Sequence, residues 1–351
     1  MKEEPGGAWK NWHWQLANSI TKIEQLKEEL NIKDNQLDEK NLPNLPIKIT
    51  PYYLELIKKN PILRKTVVPS IEEFIISDGE SIDPLDEEQY RKSSCVIHKY
   101  YDRCLFLVTN SCATNCRFCT RSRIFDNIVF SRNDIDNGIN YIKNHPEIRD
   151  VILSGGDMLT LGDNRIEYIL KNIRDIKHVE IIRIGTKVPV VLPTRVNFEL
   201  INMLKKYHPL YMSIHFTHPS EITTECSTVL NKLADAGIVL RSQTVLIKDV
   251  NDNIETMKGL MHKLLINRVS PYYLYYPDYI VGSSYFRPSI DVGIEIIKEL
   301  RKSSGYCVPS FIVDSKYSKI VVNPENIIEN NIEFIKIKSN NDEILEIKKL
   351  K

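Results

Sequence analysis

The chain is expected to be an α/β protein in which a succession of parallel β/α units follows a helical extension. Two observations predict this. Six short apolar, β-branched stretches (105–110, 150–156, 180–186, 210–216, 239–247 and 269–276) alternate with segments of helical period. The length of 351 residues, 42% hydrophobic and 26% charged, suffices for a barrel-sized core. Such units make either a partial barrel or an open sheet, and in both ligands gather at the carboxyl ends of the strands.

Residues 8–31 read as one helix, because Trp9, Trp12, Leu16, Ile20, Ile23 and Leu30 recur at helical spacing before the NIKDN stop. A tryptophan stripe of this kind is ordinary core packing. Residues 38–97 are punctuated by Pro43, Pro46, Pro51, Pro61, Pro69 and Pro84, which predicts short helices and turns wrapped on a larger body. Residues 1–97 are therefore an extension, 98–320 the β/α core, and 321–351 a short tail whose lysine-rich end is solvated or an edge element. Within the core the clearest helix is 252–267, with Ile254, Met257, Leu260, Met261, Leu264 and Leu265 on one face. Gly237 is a natural helix stop.

Several function classes are excluded by composition. A net charge of +1 argues against nucleic-acid or anionic-membrane binding. The amino terminus has no basic start followed by an apolar run, so no secretory signal is expected. No stretch reaches the roughly 18 apolar residues of a membrane span. Seven cysteines, three of them within eight positions, do not read as a disulfide framework and suit a reducing cytoplasm.

The stretch NSCATNCRFCTRSR follows the first core strand and spaces Cys112, Cys116 and Cys119 as C-x3-C-x2-C. Soft anionic sulfur matches iron, and three thiolates on a four-iron cube leave one iron open. Zinc would want four closed ligands, usually as two pairs, and Cys95, Cys104, Cys226 and Cys307 form no second pair. The strand, the cysteine loop and the β/α succession resemble the radical S-adenosylmethionine superfamily. That resemblance implies a partial (β/α)6 barrel, a [4Fe–4S] cluster and S-adenosylmethionine chelated at the open iron, where it is split to abstract hydrogen. Ser154, Gly155, Gly156 and Asp157, ending the second strand, look like its glycine-rich segment at the methionine amino group, and His215 matches a position facing the same cofactor.

The likeness narrows further. WKNWHWQ, ITPYYLELI, HKYYDRCLFL, CRFCTRSR, VILSGGD, HVEIIRIGTKVPVVLPTR, HFTHPSEIT, SQTVLIKDVND, PYYLYYPD and SGYCVPSFIVD, in this order, resemble the lysine 2,3-aminomutases. That family joins S-adenosylmethionine to pyridoxal 5′-phosphate and moves the α-amino group of lysine to the β-carbon. The resemblance implies that Arg121 binds the substrate carboxylate, a task suited to a bidentate guanidinium. Asp278 and Asp314 fall on the positions that hold the distal ammonium of lysine, and they would repel glutamate. Arg103 and Gln243 match positions near the pyridoxal phosphate group, with Lys99 beside them, and Tyr275 matches an aromatic lining position. A one-electron donor such as flavodoxin or ferredoxin and a homo-oligomeric state are also implied.

The match departs at one functional point. The lysine that holds pyridoxal phosphate through an imine follows the second aspartate by seven residues in the family, after a run of glycines. Here Asp314 leads into Ser315-Lys316-Tyr317-Ser318-Lys319 with no glycine. A two-residue deletion aligns Lys319, and Lys316 is the alternative. The glycine-free loop should be stiffer. No cysteine follows Cys307, and Asn253 stands at the family's internal zinc-ligand position, so no structural zinc is predicted. Three readings remain open from sequence: a lysine aminomutase, a related radical enzyme acting on arginine or another cationic amino acid, and a cluster-bearing protein without catalysis.

Overall fold

A computed structural model describes residues 7–32, 45–124, 130–316, 318–323, 326–338, 342 and 344–349. Residues 33–35 of the expected helix stop, Pro43, Tyr317 and Pro324 lie outside them.

Ten strands form one sheet in simple sequence order: β1 (Arg91–Ser93), β2 (Val96–Tyr100), β3 (Arg103–Thr109), β4 (Asp150–Gly155), β5 (Ile181–Thr186), β6 (Leu210–His215), β7 (Val239–Val245), β8 (Ser270–Tyr275), β9 (Ser310–Asp314) and β10 (Lys319–Val321). The pairs from β3 to β9 are all parallel, while β1, β2 and β10 add antiparallel edges. The six expected strands are β3 to β8. A seventh parallel strand, β9, extends the six-unit expectation; its five-residue SFIVD run is too short for periodicity to announce. The fold is the partial β/α barrel of the radical S-adenosylmethionine class. Its two edges meet through a side chain: Lys99 Nζ, on β2, donates to Ser315 O beyond β9 at 3.1 Å.

Among the described residues ten helices accompany the sheet: α1 (Trp12–Ala17), α2 (Ile23–Leu30), α3 (Pro51–Lys59), α4 (Arg132–Lys143), α5 (Asp163–Arg174), α6 (Val188–Val191), α7 (Phe198–Leu204), α8 (Thr224–Asp235), α9 (Ile254–Ile266) and α10 (Ile290–Leu300). The crossover helices bury one apolar stripe each. On α5 this is Ile166, Ile169, Leu170 and Ile173, and on α9 it is Met257, Leu260, Met261 and Leu264. Gly237 sits just past α8 with φ +77°, the left-handed stop its position implied.

Three expectations are corrected. The single helix over 8–31 is two helices, because Asn18 caps α1 with its side chain on Trp14 O while Ile20 leaves to bridge Ile49 in both backbone directions. The proline-rich segment carries strands as well as turns, and β2 runs across the 97/98 boundary. The expected tail folds into a separate antiparallel sheet, β11 (Ile327–Asn330), β12 (Phe334–Lys338) and β13 (Ile344–Lys348). Lysines and glutamates are frequent along it, but Ile335, Ile337 and Ile347 alternate with polar residues and are buried on one face.

The extension positions the cysteine loop. Asn115 N donates to Lys48 O and Arg117 N to Thr66 O, each at 2.9 Å. The Arg117 guanidinium pairs with Glu73 at 2.7 Å, both side chains buried. A buried pair of this kind adds little net stability against an apolar alternative, yet losing one partner is costly, so it fixes how the loop lies.

Candidate active site

Strand pleating explains why the site is where it is. On β4 to β7 the residues Val151, Leu153, Ile182, Ile184, Met212, Ile214 and Leu240 are buried in the hydrophobic core. The alternate positions face inward and line a single cavity of about 560 Å³. They are Arg103 (β3), Asp150, Ile152 and Ser154 (β4), Arg183 (β5), Ser213 and His215 (β6), Gln243 and Val245 (β7), and Tyr273 and Tyr275 (β8). All fifteen site residues expected from sequence line this cavity: Cys112, Cys116, Cys119, Arg121, Ser154, Gly155, Gly156, Asp157, His215, Gln243, Tyr275, Asp278, Asp314, Lys319 and Arg103.

The cysteine loop and the end of β4 are locked together by close backbone approach. Gly156 N donates to Thr109 O at 2.6 Å and Asp157 N to Ser111 O at 2.8 Å. Gly155 has φ +116°, and a side chain there would lie 2.2 Å from Thr109 O; at Gly156 it would lie 2.3 Å from Ser111 O. Only glycine permits that approach. Asp157 has a different occupation from the one expected. Its carboxylate accepts from Thr186 Oγ1, Lys187 N, Val188 N and Leu159 N, which latches β5 to β4.

The three thiols suit a [4Fe–4S] cluster. None is in a disulfide. Burial pushes the Cys112 thiol well above the ordinary cysteine value and Cys116 up to about 12, so as free thiols they hold their protons. Iron is what would make them thiolates there. Two cations stand ready to balance that negative charge, since Lys48 acts electrostatically on Cys112 and Lys187 on Cys116. His215 is buried beside the loop, its ring 5.7 Å from that of Phe118, and its Nδ1 has no partner. Burial first, and Lys187 second, lower it to about 3, so it is a neutral imidazole with an unused nitrogen in the cavity wall. A ligand in the cavity would satisfy it.

Deeper groups divide by charge. Arg121 Nη2 donates to Glu87 at 2.9 Å, and its Nε is buried without a partner. That nitrogen is a donor that a bound carboxylate would satisfy. Asp278 accepts from Thr120 Oγ1 at 2.6 Å. Burial, then the neighbouring Asp314 carboxylate, push Asp278 up to about 7. Asp314 is ion-paired with Lys319, whose Nζ lies 4.8 Å from the centre of the Tyr275 ring. Burial would lower the Lys319 ammonium, but Asp314 and Tyr275 hold it above the ordinary lysine value. Lys316 is exposed and is not among the lining residues, which separates it from Lys319.

Arg103 Cζ stacks 4.1 Å over the Tyr100 ring, and Arg103 Nη1 donates to Asp102 at 3.0 Å. A guanidinium and the amine of Lys319 in one cavity suit the phosphate and carbonyl of pyridoxal phosphate. Sequence reasoning missed Glu87, Thr120, Lys187, and the Arg183–Asp150 pair, closed at 2.8 Å. Arg183 and Asp150 had a legible signal, because they share the inward parity of Ser154 and Gln243 along their strands.

Comparison with known proteins agrees with this geometry. Residues 106–260 match the Radical SAM superfamily model. The chain is 44% identical over 316 residues to the L-lysine 2,3-aminomutase of Fusobacterium nucleatum, spanning 88% of this chain and 74% of that protein. It is 43% identical over 326 residues to the L-lysine 2,3-aminomutase of Clostridium subterminale, spanning 90% of this chain and 78% of that one. It is also 36% identical over 340 residues to the glutamate 2,3-aminomutase of Clostridioides difficile, spanning 94% and 81% respectively. On these likenesses the chain belongs to the lysine 2,3-aminomutase family of radical S-adenosylmethionine enzymes.

Proposed function

We propose that this protein is an isomerase that moves the α-amino group of L-lysine to the β-carbon, giving β-lysine. One observation carries the choice of substrate: Asp278 and Asp314 share a cavity with Arg121, whose Nε has no partner. That arrangement complements an amino acid with one carboxylate and a distal cation, and it repels a second carboxylate such as glutamate's.

When bound, the cluster and S-adenosylmethionine supply hydrogen abstraction, and pyridoxal phosphate supplies a conjugated carbonyl for the migrating nitrogen. The chain's own residues hold and orient. Cys112, Cys116 and Cys119 would hold the cluster. Ser154, Gly155 and Gly156 would offer backbone groups, and His215 its Nδ1, to S-adenosylmethionine. Asp157 supports that wall by latching β5. Lys319 would supply the amine for pyridoxal phosphate, with Arg103, Gln243 and Tyr275 as its further contacts. Arg121 fixes the substrate carboxylate, and the two aspartates fix the far end of its side chain. Pinning both ends would present the α- and β-carbons in one orientation.

No helix among the described residues is long and apolar enough to cross a membrane. Free thiols in the cysteine loop suit a reducing compartment such as the cytoplasm, and likeness to the family supports a flavodoxin- or ferredoxin-type donor and a homo-oligomer.

Anaerobic reconstitution followed by separate incubation with lysine, arginine and glutamate, with mass spectrometry of products, tests the proposal. β-Lysine from lysine is expected. Product from arginine without turnover of lysine would move the substrate to another cationic amino acid, and turnover of glutamate alone would overturn the charge argument. Absence of S-adenosylmethionine cleavage by reduced, cluster-loaded protein would point instead to a non-catalytic role.

A further inference from the structure

The short, glycine-free connection after Asp314 has a structural result. β9 and β10 form a tight hairpin in which Asp314 and Lys319 are direct cross-strand partners. The connection is closed by Ser315 N to Ser318 O at 3.0 Å, Ser315 Oγ to Ser318 O at 2.9 Å and Ser318 N to Ser315 Oγ at 3.0 Å. Directly opposed residues on one face interact by construction, so the Lys319 ammonium lies on the Asp314 carboxylate without any loop having to order itself. Asp278 stands beside them, held by Thr120 and repelled by Asp314.

Resting on the assignment of Asp278 and Asp314 to the substrate's distal ammonium, we propose that Lys319 is an internal occupant of that subsite. Its ammonium and the side-chain cation of the substrate compete for one carboxylate. The site is unreceptive to a cationic amino acid until Lys319 loses its charge. Condensation of the Lys319 amine with a cofactor carbonyl does this with balance: the ammonium gives up one proton, a C=N bond replaces the C=O bond, and one water leaves. Asp314 is then freed for the substrate, whose grip therefore depends on prior attachment of the cofactor.

Lysine binding to cluster-loaded protein without pyridoxal phosphate, measured by calorimetry, tests this apart from turnover. The variants are Lys319→Met, which removes the charge at similar length, and Lys319→Arg, which keeps it. L-Lysine should bind Lys319→Met at least about tenfold more tightly than the wild type or Lys319→Arg. Norleucine, which has no distal ammonium, should bind all three alike. Equal lysine affinity in all three, or a matching gain for norleucine, overturns the inference and leaves the lysine reading intact if turnover is seen. A gain for arginine in place of lysine supports internal occupancy while moving the substrate. A gain for glutamate alone overturns both.

Discussion

The Thr120 hydroxyl donates to Asp278 Oδ2 at 2.6 Å, so the residue that follows Cys119 orients one of the two carboxylates proposed to hold the substrate's distal ammonium. Cys119, Thr120 and Arg121 are consecutive and all line the cavity, so on the proposed assignment one loop would set the distance between the cluster and both ends of the substrate. Thr120→Val keeps the shape and removes the donor. A hydrogen bond to a charged group contributes roughly 1.5–3 kcal/mol. The expected result is a lysine KM raised on the order of tenfold, with iron content unchanged; loss of iron would assign Thr120 to the loop alone.

Glu87 holds Arg121 and Arg123 together, with Arg121 Nη2 and Arg123 Nη2 each 2.9 Å from one of its oxygens. Burial would raise its carboxyl, but the two guanidinium groups keep it below the ordinary glutamate value. Glu87→Gln should weaken lysine binding by about tenfold while leaving 1,5-diaminopentane, which has no carboxylate, unaffected. It should also lower folding stability by roughly 3 kcal/mol, since two cations lose a buried partner. Equal weakening of both ligands would show that the effect is general and not on the carboxylate end.

Asp278 predicts a pH dependence of substrate binding. Its proton is held up to about pH 7 in the substrate-free site, through burial and Asp314. A distal ammonium favours the carboxylate, so below that pH binding must release the proton. Lysine affinity should fall toward tenfold per pH unit below about 7 and level off above it. The sign is opposite for stability: the raised carboxyl makes the fold lose stability as pH rises through the window from the ordinary aspartate range to about 7. Calorimetry in buffers of different ionisation enthalpy measures the proton release, and Asp278→Asn should abolish it.

Gly156→Ala places a methyl carbon 2.3 Å from the Ser111 carbonyl oxygen, a backbone atom that no rotamer change can move. The cysteine loop must shift by more than an ångström, and cluster geometry does not tolerate that. Iron per chain after anaerobic reconstitution should fall below about a tenth of the wild-type value. Near-normal iron would show that the loop adapts.

Much of this site was legible in the one-dimensional chain. The C-x3-C-x2-C spacing acts within one loop, so its meaning survives without a fold, and the strand–helix alternation is a local periodicity. Arg121, Asp278, Asp314 and Lys319 were reachable through likeness to a family, which carries three-dimensional information in sequence order. Arg183 and Asp150 were partly legible, as polar residues with inward parity on otherwise apolar strands.

Other relationships depend on elements distant in sequence. Glu87 meets Arg121 across the boundary between extension and barrel, and Arg117 meets Glu73 in the same way. The choice between Lys316 and Lys319 is a matter of strand parity: in the β9–β10 hairpin Lys319 faces Asp314 and the cavity, while Lys316 lies in the connection and is exposed. The sequence by itself determined the β/α succession and the three-cysteine loop, because those rest on spacing and alternation; the barrel and its radical chemistry were implied by likeness to a family. Only the tertiary structure decided which charges oppose which, because Coulombic pairing depends on distance through space and not along the chain.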